Sequence, residues 1–356
     1  MIAPFNYLEN LTNRLHQGAM KIPENIRNKH VRYILSCQNP DGGFYGRDPD
    51  SDLYYTGFAL RSLLVLNALD TPTCEKVGTF LSQRLHSQTS LVDFFSLVYS
   101  AVIVSMGGGP DVFASSGDWT ESIGAFLASL RGADGGFGKV PGGKESSTYM
   151  SFLALLCHQL IGKKIAAPDS LVAFVHSRLR TDGGFVEYGP MRKSGTNPTA
   201  AGMGILRAIA PQLLQGDMKN NLINFYKGMM GDENGFKANH RIPFCDVLST
   251  FTSLCSLIDG LMVTGSLLVV CIPVSSSEIS FDTAPEKLLG LSPDKSASSS
   301  FSKRSSGIDR NSSRPRNATF LLVFTLASES SIALTYSLYS FSALRAILLV
   351  CPSSDG

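Results

Sequence analysis

The tripeptide Gly-Gly-Phe recurs along this chain in one fixed setting. It occupies positions 42–44, 135–137 and 183–185, and a degraded copy, Asn-Gly-Phe, follows at 234–236. The phenylalanines are 93, 48 and 51 residues apart, and 93 is close to two periods. A fixed period of about 50 residues indicates that one supersecondary unit is copied along the chain.

Each copy stands between two amphipathic runs. In the first unit, Val31, Ile34 and Leu35 have helical spacing before the turn, and residues 53–69 have the pattern of a second helix. Two adjacent glycines permit positive φ and a tight reversal of the chain, and the acidic residue before them can accept from exposed amides. The repeating unit is therefore predicted to be a helical hairpin.

One unit lacks the glycines. Residues 80–85 and 93–104 lie between the first two copies and still have helical spacing. We count five hairpins from about residue 23 to residue 260, with the second one degenerate. Strand patterns are nearly absent there, so residues 1–260 are predicted to form one all-α repeat domain.

The pattern stops after Gly260. Residues 275–277 and 298–302 are rich in serine, 320–350 are apolar without a repeat signature, and no histidine follows His240. Residues 261–356 therefore form an atypical tail, and a sixth hairpin is missing. Two interpretations stay open: a disordered tail, or a coding sequence that has left its reading frame near residue 260.

Composition excludes several classes of protein. A charged content of 17% and a net charge of +2 give no argument for binding nucleic acid. The seven cysteines are odd in number and include no Cys-x-x-Cys, which argues against a disulfide framework or a zinc finger and predicts a reducing, cytoplasmic location. The longest strongly apolar stretch, 261–274, is too short and interrupted to predict a membrane span.

The turn sequences resemble one known repeat family. Segments 38–44, 130–137 and 179–185 carry Gln or Arg, one or two residues, and then Asp-Gly-Gly-Phe. This pattern resembles the prenyltransferase and squalene-cyclase repeat family. Phe after the glycines is similar to the protein prenyltransferase β-subunit branch, above all to type II geranylgeranyltransferase. Triterpene cyclases usually place Trp there, and the single tryptophan, Trp119, lies outside the repeat motifs.

The resemblance implies an α-α toroid, or α/α barrel, incomplete here at its C-terminal end. In this fold the second helix of each hairpin belongs to an inner ring around an apolar funnel that holds an isoprenoid diphosphate. The aromatic residues expected to line the funnel are Tyr54, Tyr55, Phe58, Tyr149, Phe152 and Phe251. The alternative is that these rings only pack helix against helix.

The resemblance also implies a reaction, the transfer of a geranylgeranyl group from its diphosphate to a protein cysteine thiol. Zinc would activate the thiol. The zinc ion itself would be held by an Asp, by a Cys two residues later and by a distant His. Here Cys245 and Asp246 are adjacent and in reversed order, and the histidine is absent. In the alternative interpretation, Asp246 caps a helix and Cys245 is a buried thiol.

Basic residues are expected to neutralise the diphosphate. By resemblance, Lys237, His240 and Arg241 correspond to the family's basic cluster, and Arg192 and Lys193 stand where the family has a diphosphate-contacting histidine. The alternative for the first cluster is a solvated loop. A β subunit further implies an α-subunit partner and a cysteine-containing protein substrate.

Three functions remain open from the sequence. The first is a protein prenyltransferase β-like subunit, and the second is a non-catalytic toroid that binds an isoprenoid or a protein. The third is a relative of the terpene cyclases, which is the least supported because the acidic segment 48–52 only partly matches an Asp-x-Asp-Asp motif. Metal content separates the first function from the other two.

Overall fold

A computed structural model describes residues 6–85, 90–232, 235–258, 269–272, 318–323 and 349–352. All named secondary-structure elements in the described part of residues 6–258 are helices, with one 3-10 turn at Pro211–Leu213, and they are joined by turns and loops. The helices of this part are α1 Tyr7–Ala19, α2 Glu24–Ser36, α3 Leu53–Val65, α4 Thr71–Ser82, α5 Leu91–Met106, α6 Trp119–Ser129, α7 Thr148–Leu160, α8 Pro168–Ser177, α9 Thr196–Ile209, α10 Gly216–Met229 and α11 Val247–Ser256.

The helices form the five predicted hairpins, α2/α3, α4/α5, α6/α7, α8/α9 and α10/α11. The second helices pack against one another in chain order, α3 on α5, α5 on α7, α7 on α9 and α9 on α11. They therefore build the inner wall, and the first helices pack on its outside. The all-α toroid is confirmed for the described repeats.

Three short strands are described beyond residue 258: β1 Val269–Ile272, β2 Ala318–Val323 and β3 Leu349–Pro352. They form one antiparallel sheet in the order β1-β2-β3, with Val269 opposite Val323 and Ala318 opposite Pro352. The other residues of the 261–356 tail lie outside the described ranges. Whether that segment is disordered or out of frame stays a prediction.

The first glycine of each turn is required by backbone contact with the next hairpin. Gly42, Gly135 and Gly183 have φ of +92°, +87° and +86°. A Cβ on Gly135 would lie 2.4 Å from the carbonyl oxygen of Ser170 in α8, closer than real Cβ contacts. Both the left-handed backbone and the close approach exclude a side chain.

The second glycine makes room for an aromatic ring. A Cβ on Gly43, Gly136 or Gly184 would meet a ring carbon of a phenylalanine on the next outer helix at 2.4 to 2.6 Å. These rings are Phe80, Phe174 and Phe225. The Gly-Gly pair thus docks each turn onto the following hairpin, which explains why the motif is repeated.

A hydroxyl on each inner helix holds the phenylalanine of the turn. The amide of Phe185 donates to Thr199 Oγ1 at 2.9 Å, and Thr199 Oγ1 donates to the Gly195 carbonyl at 2.7 Å. Phe137 makes the same bond to Ser151 Oγ at 2.8 Å. Phe44 and Phe236 bond to Thr56 and Thr250 in the same way. This bond fixes the turn to the inner wall.

We predict that Thr199→Val destabilises the toroid by about 1–3 kcal/mol, because the buried Phe185 amide loses its acceptor. Thr199→Ser keeps the hydroxyl, which α7 uses at the equivalent Ser151, and should cost less. Urea unfolding of both variants measures the difference. Equal losses would show that the hydroxyl does not matter.

Two helices differ from the sequence prediction. The first helix of the degenerate unit was predicted over 80–85 but spans Thr71–Ser82, and it begins where Asp70 accepts from the Thr73 amide at 2.9 Å. Helix α3 ends at Val65 rather than at residue 69. Local capping interactions determine both helix boundaries. Hydrophobic spacing alone does not predict where a helix begins or ends.

Helix α1 precedes the hairpins and packs against α3. Its first residue, Tyr7, donates its amide to Gln159 Oε1 at 3.1 Å, next to the last residue of α7. Near its other end, His16 Nδ1 lies 3.2 Å from the carbonyl oxygen of Val65, the last residue of α3. Helix α1 therefore crosses the end of the inner ring at which α3 and α7 finish.

Candidate functional site

Helix α3 presents a stripe of large side chains to the inside of the ring. Tyr54, Phe58 and Arg61 are four and three residues apart and so share one face. The rings of Tyr54 and Phe58 make an edge contact with centroids 4.5 Å apart. Asp52 fixes the start of the helix by accepting from the Tyr54 and Tyr55 amides at 2.8 and 3.0 Å.

Arg61 lies within this stripe and was not predicted. Its guanidinium carbon stands 4.4 Å from the ring centroid of Phe58 and 5.4 Å from that of Tyr99 on α5. Arg61 Nε donates to the Gly57 carbonyl at 2.8 Å. Desolvation lowers the pKa of Arg61, and the hydroxyls of Tyr99, Tyr149 and Tyr54 oppose that change. The sequence does contain a signal for this residue, because Arg61 is the single charged side chain in the helix Leu53–Val65.

Tyr149 reaches the same place from α7. Its side chain is 42% exposed, yet burial raises its pKa to about 12, with a further contribution from Tyr54 and an opposing one from Arg61. The structure thus brings Tyr54, Phe58 and Tyr149 together around Arg61.

The other predicted aromatic residues have different main contacts, although the Tyr55 ring also meets the Tyr54 ring edge-on with centroids 5.8 Å apart. The half-buried Phe152 ring makes an edge contact with Tyr7 of α1 at 4.9 Å. A Cβ on Gly204 of α9 would lie 2.6 Å from Phe152, so the glycine admits this ring. Phe251 is 8% exposed. Tyr55 turns toward the preceding loop, where a Cβ on Gly46 would lie 2.3 Å from its ring.

The predicted basic residues stand in the loops before α9 and α11. Arg192, Lys193, His240 and Arg241 are exposed, and Lys237 is half-buried. The two loops touch, because Thr196 Oγ1 donates to the Lys237 carbonyl at 2.5 Å.

Two positions in these loops are occupied by structural contacts. The His240 ring packs edge-on against Phe225 of the outer helix α10 at 6.4 Å. Ser194, which follows Arg192 and Lys193, donates to Asp182 Oδ1 at 2.6 Å within its own turn.

Glu187 closes the loop next to Tyr149. Its carboxylate accepts from Ser147 Oγ and from the Tyr149 amide, the latter at 3.2 Å. Burial raises the pKa of Glu187, and the bond from Ser147 opposes that rise. The carboxylate thus caps the start of α7 and holds Tyr149 at the entrance of the ring.

The predicted metal ligands have structural contacts. Asp246 caps α11 by accepting from the Ser249 amide at 2.8 Å. Cys245 is buried, and its Sγ would lie 2.5 Å from a Cβ on Gly231. Within the described residues, no group of three His, Cys, Asp or Glu side chains is placed to hold a metal ion.

Cys245 takes the place that serine has in the other units. Ser146 and Ser194 each donate to an aspartate 12 residues earlier, at the start of Gly-Gly-Phe. Cys245 follows Glu233 by the same interval, and Glu233 lies outside the described residues. Cys245 and Asp246 thus have structural contacts in the described part of the chain, and the zinc site implied by the resemblance stays a prediction.

Comparison with known proteins identifies the repeat. Residues 8–186 and 97–237 match the model of the prenyltransferase alpha-alpha toroid domain. Among solved structures, protein geranylgeranyltransferase-I of Candida albicans, complexed with GGPP, is similar at a TM-score of 0.55 and 17% identity. The similarity covers 71% of this chain and 83% of that one. At this identity it shows the fold alone.

Two further proteins are similar over a shorter segment or with a lower TM-score. Drimenyl diphosphate synthase of Streptantibioticus cattleyicolor is 25% identical over 164 residues, which are 43% of this chain and 31% of that protein. The match thus spans about a third of that relative's length. The type II terpene cyclase MstE of Scytonema is 15% identical at a TM-score of 0.43, covering 69% of this chain and 73% of that one.

In the described part of the chain, none of the helices has the length and hydropathy needed to cross a bilayer. The cytoplasmic location stays a prediction.

Proposed function

Because the chain belongs to the prenyltransferase α-α toroid family, we propose that it binds an isoprenoid diphosphate inside its ring of inner helices and transfers the isoprenoid to a protein cysteine thiol. The family membership supports the toroid as the binding scaffold. The geranylgeranyl group is the proposed substrate, in line with the GGPP held by the Candida albicans protein of the same fold.

The inner aromatic wall is the observation that carries this proposal. Tyr54 and Phe58 of α3 are in ring contact, Phe58 stacks on Arg61, and Tyr149 of α7 interacts electrostatically with Arg61 and Tyr54. An isoprenoid chain is a flexible hydrocarbon with double bonds, and aromatic rings bury it without needing hydrogen bonds. Burial of one such ring against the ligand contributes about 1.5–3 kcal/mol.

Residues at different positions in the toroid have different roles in this reaction. The aromatic side chains bind and orient the isoprenoid, and the exclusion of water keeps the diphosphate from hydrolysis. The loop cations Lys237, Arg241, Arg192 and Lys193 stand before α9 and α11 and attract the anionic substrate. The sulfur of the acceptor cysteine forms the new bond to C1 of the isoprenoid while the C1–O bond to the diphosphate breaks, so that pyrophosphate leaves and the thiol proton passes to solvent. An α-subunit partner remains part of this proposal.

A binding titration tests the proposal. Phe58→Ala is expected to weaken the affinity for geranylgeranyl diphosphate at least about tenfold, which corresponds to about 1.4 kcal/mol. The matched control is Phe94→Ala, whose ring contacts Phe126 of the outer helix α6 at 4.7 Å. Calorimetry measures both affinities on folded protein. No measurable binding by the natural protein, or equal losses in both variants, would overturn the aromatic site.

A terpene cyclase is the second candidate function, favoured by the match to drimenyl diphosphate synthase. Incubation with an isoprenoid diphosphate, with and without a cysteine peptide, separates the two. A prenylated peptide supports the transferase, and a cyclised isomer formed without peptide supports the cyclase. Binding without either product supports the non-catalytic toroid. Metal analysis of the same sample tests the zinc prediction.

A further inference from the structure

The guanidinium of Arg61 is a cation held inside the ring without a counter-ion from the described part of the chain. The described ion pairs are Arg84 with Asp41, Lys163 with Glu121 and Arg178 with Asp134, and none involves Arg61. The groups that influence its charge are tyrosine hydroxyls. One of them, Tyr149, stays neutral at pH 7 because its pKa is about 12.

This arrangement is costly for a protein that keeps the site empty. A cation withdrawn from water normally has an anionic partner, because the loss of hydration is unfavourable. Arg61 is half-buried, and its cation–π contacts with Phe58 and Tyr99 offset part of that cost. Only Nε has a described hydrogen-bond acceptor, the Gly57 carbonyl, so the two terminal nitrogens remain as donors for a ligand.

The side chain also points in the useful direction. Arg61 folds back over Gly57, where a Cβ would lie 3.7 Å from Nη2. Gly57 is the fifth residue of α3, so the guanidinium lies about 6 Å below the start of the helix at a rise of 1.5 Å per residue. Tyr149, the second residue of α7, stands beside it. The charge therefore lies near the end of the ring at which α3 and α7 begin.

We propose that Arg61 is the anion-binding residue of the toroid and holds the diphosphate of the isoprenoid substrate with its two terminal nitrogens. The planar fork of a guanidinium suits two phosphate oxygens, and Phe58 and Tyr99 fix its plane. The isoprenoid chain then lies along Tyr54 and Phe58. This inference rests on the proposed function, and it places the diphosphate inside the ring rather than on the loop cations.

The test uses inorganic pyrophosphate, geranylgeranyl diphosphate and the uncharged alcohol geranylgeraniol as three probes of the full chain. Arg61→Gln should weaken binding of both diphosphate probes at least tenfold and leave geranylgeraniol affinity unchanged. Arg61→Lys keeps the charge but not the fork and should give an intermediate loss. Arg84→Gln is the control, because Arg84 also stacks on a ring, Phe80 at 3.8 Å, on the outside of the repeat.

The outcomes separate this inference from the proposed function. Pyrophosphate binding that depends on Arg61, without binding of either isoprenoid probe, supports the anion site and overturns the proposed function. Isoprenoid diphosphate binding that is equal in the natural protein and in Arg61→Gln overturns the anion site alone. Loss of pyrophosphate binding in Lys237→Gln but not in Arg61→Gln assigns the anion to the loops and also overturns it.

A stability measurement distinguishes anion binding by Arg61 from a merely structural role of this residue. If the role of Arg61 is to bind an anion, Arg61→Met should leave the unfolding midpoint of the ligand-free protein unchanged or raise it. The reason is that the substitution removes an unpaired charge. Added pyrophosphate should raise the midpoint of the natural protein and not that of the variant. A lower midpoint of Arg61→Met without ligand, with an unchanged pyrophosphate shift, would overturn the inference.

Discussion

Gly135→Ala is expected to destabilise the toroid by about 3 kcal/mol or more. A left-handed backbone costs an alanine about 1–2 kcal/mol, and φ at Gly135 is +87°. The added Cβ would also lie 2.4 Å from the carbonyl oxygen of Ser170. Because that oxygen belongs to the backbone of α8, the turn and the next hairpin must separate, and overpacking adds about 1–3 kcal/mol.

The same loop supplies the control. Gly142 has φ of +70°, but a Cβ there would have no atom within 4 Å. Gly142→Ala therefore carries only the backbone cost, about 1–2 kcal/mol. Urea unfolding of both variants gives the two free energies. Equal losses would mean that contact with α8 is not the reason for the glycine.

Acid is expected to weaken the fold through His30 between pH 6.5 and pH 4. His30 is 2% exposed, and desolvation lowers its pKa to about 4 from 6.5. Above pH 6.5 the imidazole is neutral in both the folded and the unfolded chain. As the pH falls, the unfolded chain takes up a proton that the folded chain excludes, so stability declines until the folded form also titrates near pH 4.

The size of this effect follows from the shift. A difference of 2.5 pKa units corresponds to about 3 kcal/mol as an upper bound. His30→Gln should remove most of this loss, measured as unfolding free energy against pH, while His176→Gln at an exposed site should not. Burial also lowers the pKa of His158, so some acid dependence will remain. An unchanged pH profile in His30→Gln would contradict the assignment.

The repeat could be predicted because its causes are local. Each turn needs glycine at a left-handed position, and each helix has its apolar residues three and four apart. These features lie within about 50 residues of one another, so the five hairpins followed from the sequence. The placement of each second helix in an inner ring was implied by the family resemblance. The capping of α4 by Asp70 is local too, but the hydrophobic pattern does not contain it.

The candidate site was only partly predictable for a different reason. Tyr54 and Tyr55 are neighbours in sequence with the same chemistry, yet Tyr54 joins Arg61 and Phe58 while Tyr55 packs on Gly46. Which of the two faces the ring depends on the rotation of α3 against α1 and α5. Spacing along one helix gives the stripe but not its direction.

Cys245 and Asp246 show the same limit. Their residue types suggested a metal, whereas their places in the repeat give them the roles of a turn-packing side chain and a helix cap. Comparison of Cys245 with Ser194 across repeats could have indicated this, because both stand 12 residues after an acidic residue.

The sequence by itself determined the period, the hairpins and the left-handed glycine of the turns, since each depends on backbone conformation or helical spacing, and the toroid was implied by the resemblance of the turn motifs to a known repeat family. Only the tertiary structure decided that α1 crosses the end of the ring and that Arg61 stands among aromatic side chains from three inner helices. The physical reason is that the solvation of a charge depends on groups far apart in the chain. Their arrangement exists only once the inner helices have packed.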